Sequence, residues 1–135
     1  YSRDVIAADD TKAIVSITCQ ALAALFQVPV VVMLVTEDRV VSLETIGDME
    51  PQEAELEAAR SSLATGTVVR SGVYPNLASL FDFWPVTAEG QNAVIGLAFD
   101  PDERPLAPDA PVDTVARVLA LVLDRQHARA GRPAR

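Results

Sequence analysis

Residues 81–100 read FDFWPVTAEGQNAVIGLAFD, two apolar runs around a short polar break. Neither run alternates apolar with polar residues. Side chains of a strand point to opposite faces in turn. Phe81, Phe83 and Pro85 therefore face one way, and Leu80, Asp82, Trp84 and Val86 the other. Val94, Gly96 and Ala98 oppose Ile95, Leu97 and Phe99 in the same manner. A hairpin this apolar on both faces persists in water only when both faces are covered. The rest of the chain must supply a layer on each side of a sheet.

The flanking patterns supply candidates. After Asp9-Asp10-Thr11, the residues Ile14, Ile17, Ala21 and Leu25 form one helical stripe, which Pro29 ends. Val30 to Val35 is a continuous β-branched run and reads as a buried strand. A polar turn at residues 36–39 leads to a return strand, Val40 to Ile46, in which Val41 and Leu43 alternate with Ser42 and Glu44. A helix is expected from Pro51 to Thr65, with Ala54, Leu56, Ala59 and Leu63 inward and Gly66 as its stop. Residues 67–77 are irregular, with Gly72 and Pro75-Asn76 as punctuation. The two opening strands, Leu80 to Val86 and Ala93 to Phe99, follow. A proline-rich loop, Pro101 to Pro111, precedes a last helix from Val112 to Arg129.

The order is α-β-β-α-β-β-α, with room for one more short strand near Val68 to Val73. Hairpin-length turns make the sheet mainly antiparallel. The expectation is an α+β fold with a central antiparallel sheet of about five strands. The N- and C-terminal helices pack on one face; the middle helix and the irregular segment close the other. A sheet face closed partly by irregular chain is a usual place for a small-molecule pocket. Arg70, Ser71, Tyr74 and Asn76 from that segment, with Asp82 and Trp84 from the strand, are the candidate lining. Asp82 either ends a strand at the sheet edge or, if buried, needs a partner such as Arg60 or Arg70. Tyr74 and Trp84 serve as core or as pocket wall. On the last helix, Val112, Val115, Leu119 and Val122 step by 3, 4 and 3. That is a short heptad seam, a candidate dimer or signalling surface.

Composition bounds the function. The 135 residues make one domain, 1–135, of 14.4 kDa with a formal charge of -8. Four arginines crowd the last eleven positions (Arg125, Arg129, Arg132 and Arg135), so the body is more acidic still. Such a field repels nucleic acid and anionic lipid. The longest apolar run, Val28 to Val35, is far short of the ~20 residues that span a bilayer. The chain opens without Met or signal peptide, as a piece cut from a longer protein would.

Catalytic constellations were sought. His127 is the only histidine and is followed by Ala128-Arg129, unlike a phosphoacceptor motif. Cys19 reads as a small buried hydrophobe in a reducing compartment. One Cys and one His make no zinc site, and Pro101 and Pro105 break calcium-loop spacing among Asp100, Asp102 and Glu103. The expectation is no catalytic residue, no metal and no cofactor.

Four segments carry a resemblance: AIVSITCQALAALFQVPVVVMLV, MEPQEAELEAARSSLATG, LFDFWPVTAEGQNAVIGLAF and VDTVARVLALVLDRQHARA. Together they resemble the GAF-like domain of the KdpD family, the potassium- and osmotically responsive sensor histidine kinases. The resemblance spans nearly the whole chain and rests on shape patterns. It departs at Ser61-Ser62, where those domains carry Trp, and at Arg70 to Pro75, which lacks the threonines of their loop. It implies a non-catalytic sensory domain in the cytoplasmic part of a membrane-anchored bacterial kinase. Such a domain binds a small molecule, pairs as a homodimer through its terminal helices, and passes its signal to a kinase segment beyond residue 129. The rival reading is a ligand-free structural or dimerisation spacer. An enzyme on this fold, such as a methionine sulfoxide reductase, uses several cysteines.

Overall fold

The computed structural model describes residues 11–37, 39–47, 50–70, 81–88, 91–99 and 108–130, with residues 129 and 130 described by backbone alone. Among the described residues, three helices and four strands run in the order α1 (Thr11–Phe26), β1 (Val30–Thr36), β2 (Arg39–Ile46), α2 (Glu53–Thr65), β3 (Asp82–Val86), β4 (Asn92–Leu97) and α3 (Asp109–Ala130). The strands form one antiparallel sheet in the order β2-β1-β4-β3. About five strands were expected. Where a further strand was expected near Val68 to Val73, the described residues show one bridge, Val69 to Phe83, with N–H···O bonds of 3.0 and 2.8 Å, and residues 71–73 lie outside them.

Register sorts the apolar residues of the hairpin onto two faces. Val32, Ile95 and Trp84 are cross-strand neighbours, as are Val31, Gly96 and Phe83. The first set joins a cluster with Ile14, Val15, Cys19 and Leu22 of α1 and Val112, Leu119 and Leu123 of α3. The second set lies with Met33, Phe81 and Val94 against Ala58 and Ala59 of α2. The two faces thus hold two separate cores, and β1 and β4 contribute to both. Each large apolar side chain so buried contributes roughly 1.5–3 kcal/mol.

Helix ends follow local chemistry. α1 stops at Phe26, earlier than Pro29 alone would require, because Gln27 turns left-handed (φ 56°) and its N–H closes on Ala23 O at 2.8 Å. At the start of α2, the Gln52 N–H donates to Glu55 Oε1 at 3.1 Å, one half of a capping box. Gly66 ends α2 in the left-handed conformation, φ 67° and ψ 25°, where a Cβ is disfavoured. The inward face of α2 differs from expectation. Ala54 is exposed, while Glu55, Ala58, Ala59 and Ser62 are buried and Leu56 and Leu63 are half-buried. Ser62 donates its hydroxyl to Thr67 O at 2.7 Å and so ties the helix end to the following turn. α3 begins at Asp109, three residues before Val112, with Pro111 accommodated in its first turn.

Gly96 is where the sheet accepts Phe83. A Cβ there would meet Val31 Cγ1 at 2.5 Å and Phe83 Cε1 at 2.8 Å. Gly96→Ala is expected to cost ~1–3 kcal/mol by overpacking. Urea denaturation should show a lower midpoint at an unchanged m-value; an unchanged midpoint would contradict this packing.

Candidate functional site

At the free end of β3 the structure gathers polar groups from three segments of chain. Asp82 is the first residue of this outer strand and is 1 % exposed. Trp84, two residues on, shares its face. Arg70 follows the Val69 bridge, which holds its backbone beside β3. Asp109 opens α3.

The contacts are specific. Arg70 Nη1 lies 3.6 Å from Asp82 Oδ2. Arg70 Nη2 donates to Asp109 Oδ2 at 3.0 Å and to Oδ1 at 3.1 Å. Trp84 Nε1–H donates to Asp109 Oδ1 at 2.9 Å. The Arg70 guanidinium carbon lies 5.9 Å from the Trp84 ring centroid, within cation–π range. One cation thus sits between two carboxylates and beside an indole. Arg70 and Asp109 remain partly open to water, at 37 % and 54 % exposure, while Asp82 does not. Asp109 also suits its place, since an acid is favoured at a helix N-terminus.

An aromatic line runs inward from this junction. Trp84 meets Phe99 edge-on at 6.4 Å, and Phe99 meets Phe26 edge-on at 5.5 Å. Phe26 is the last residue of α1. The end of α1 and the start of α3 therefore meet the same group of residues.

Of the candidate lining residues, the structure brings Arg70, Asp82 and Trp84 together. It does so on the α1–α3 face of the sheet, at its edge, because Asp82 and Trp84 share the parity of Ile95 and Leu97. Ser71, Tyr74 and Asn76 lie outside the described residues. Arg60 pairs with Glu57 at 2.9 Å, which leaves Arg70 as the arginine beside Asp82. Asp109 was missed. Its signal was present in Pro-Asp-Ala-Pro, an acid two residues ahead of a proline in a first helical turn. Val112, Val115, Leu119 and Val122 are all buried within the α1–α3 cluster. The seam packs against the domain's own sheet and α1; the large exposed apolar residue of α3 is Leu121, at 69 %.

Cys19 is fully buried, its Sγ 3.8 Å from Val30 O and 3.7 Å from Glu44 O. Burial, and secondarily the Glu44 charge, push its thiol from 9.0 up to about 12. His127 is exposed near the end of α3. Among the described residues, no three His, Cys, Asp or Glu side chains group as metal ligands, and no helix is long and apolar enough to cross a membrane.

No protein-family model and no curated protein matches this sequence. Among solved structures, the chain is similar to the native GAF domain of the potassium sensor histidine kinase KdpD from Escherichia coli. The TM-score is 0.74 at 16% identity, over 96% of this chain and 92% of that one. The fold is GAF-like.

The buried thiol gives a test. Iodoacetamide at neutral pH should label Cys19 only after denaturation, because the reactive thiolate is suppressed in the fold. The folded thiol keeps its proton where the unfolded one loses it, so this group lowers stability as pH rises from 9.0 toward about 12 and has no effect below. Rapid labelling of the folded chain would contradict the burial.

Proposed function

We propose that this chain is a sensory or regulatory domain of a two-component sensor histidine kinase, without catalysis of its own. The observation that carries this reading is likeness along almost the whole length of a potassium-sensor GAF domain, 96% of one chain on 92% of the other. The resemblance of the sequence segments to the KdpD family points the same way. In this reading the domain belongs to the cytoplasmic part of a membrane-anchored bacterial kinase that responds to potassium or osmotic state. A small molecule, or a change of packing, acts at a site lined by Arg70, Asp82 and Trp84, with Ser71, Tyr74 and Asn76 contributed by the adjoining segment. The change passes to the kinase through the terminal helices.

In this reading the relay runs through buried contacts. Val112, Val115, Leu119 and Val122 couple α3 to the sheet from inside rather than meeting a partner. A second copy would then contact the outer sides of the terminal helices, where Leu25 and Leu121 are exposed. One observation favours the rival reading of a ligand-free spacer. Phe81 and Phe83 are fully buried and stacked at 5.8 Å, so side chains fill the described part of the α2 face.

Native mass spectrometry of the gently purified chain separates the two. The sensory reading predicts a bound mass that leaves on denaturation. A dimer carrying the polypeptide mass alone would favour the spacer.

A further inference from the structure

We infer that Arg70 is a clasp joining the connection after α2 to the first turn of α3, so that displacing either one loosens the other. The inference takes its biological sense from the sensory reading above, but the coupling itself is a property of this chain and is tested without any ligand.

Three observations carry it. Among the described residues, the connection after α2 meets the sheet backbone through one isolated bridge, Val69 to Phe83. The next residue, Arg70, spans from the buried Asp82 of β3 to Asp109 of α3. Trp84 binds the same Asp109 carboxylate and flanks the same guanidinium, which fixes both partners in one geometry. An isolated bridge is a weak attachment, because one pair of hydrogen bonds fixes its residues without neighbours to share the cost. The first turn of a helix is weak for a related reason, since its N–H groups lack intrahelical partners. Two weakly held segments therefore meet at one ion pair. Both Asp109 oxygens accept from the same Arg70 Nη2, at 3.1 and 3.0 Å, a charge-assisted contact. The aromatic line from Trp84 through Phe99 to Phe26 carries the same constraint to the end of α1.

Coupling of this kind is reciprocal. Amide hydrogen exchange of the full chain by NMR tests it, with Asp109→Ala and Arg70→Gln as variants. Asp109→Ala leaves the Arg70–Asp82 pair in place. It should speed exchange of the Val69 and Phe83 bridge amides by ~5-fold or more. Arg70→Gln should speed exchange at Val112, whose N–H reaches Pro108 O at 3.3 Å, by a similar factor. Val32 and Ile95, in the sheet centre, should keep their rates in Asp109→Ala. A merely local role for Asp109 would fray α3 and leave the Val69 bridge unchanged; that result overturns the clasp. A uniform rise in Asp109→Ala, central strands included, overturns it as well. If Arg70→Gln destabilises the whole domain, the Asp109→Ala result decides alone. A positive result here with no bound ligand by mass spectrometry would keep the clasp and favour the spacer over the ligand-binding sensor.

Discussion

The β1–β4 pairing is the constraint on which the rest depends. Both strands lie inside the sheet, and both faces of each are buried. Backbone hydrogen bonds fix their register, and register decides which apolar side chains fall on each face. Val30, Val32, Leu34, Ile95 and Leu97 then require cover from α1 and α3, while Val31, Met33 and Val94 require it on the α2 side. A slip of one residue would exchange the two sets and place Phe83 and Trp84 against the wrong helices. Gly96 marks how little slack there is, since the ring of Phe83 occupies the space a methyl group would need.

That arrangement also explains where polar chemistry can collect. The sheet interior is dry on both sides, so charged groups belong at its margins. β3 is the outer strand beside β4, and its first residue, Asp82, is carried into a buried position by the strand's parity. A buried carboxylate must be compensated. Arg70 compensates it from a segment bridged to the same strand, and Asp109 completes the group from the start of α3. Among the described residues, the result is a junction of three chain segments.

Much of the fold was legible. The alternation in residues 81–99 assigned each side chain of the hairpin to its face, because the period of two is geometric and tolerates no drift. Gly66 read correctly as a helix stop for the same reason of backbone geometry. The α2 register was less legible. Its alanines and serines give little amphipathic contrast, so Ala54 was placed inward although it is exposed, and the buried Ser62 was not named. The Val112–Val122 stripe illustrates a real degeneracy. A sheet-facing stripe and a dimer seam share the same spacing, and only the tertiary partner distinguishes them. The site was half legible. Asp82 announced itself as a charge among aromatics, and Arg70 was one of two named partners. Asp109 was hidden because prolines on both sides made its segment read as loop, and because nothing local links it to Trp84, 25 residues away.

The central claim is that α3 is part of the same cooperative core as the sheet, so that motion at one is felt at the other. Native-state hydrogen exchange in low denaturant tests this on the unaltered chain. The account predicts that amides of Leu119 to Leu123 in α3 and those of Val32 and Ile95 open with one common free energy, the global one. Opening of α3 at a clearly lower free energy, while the central strands stay closed, would contradict it. The helix would then be an appendage to the sheet.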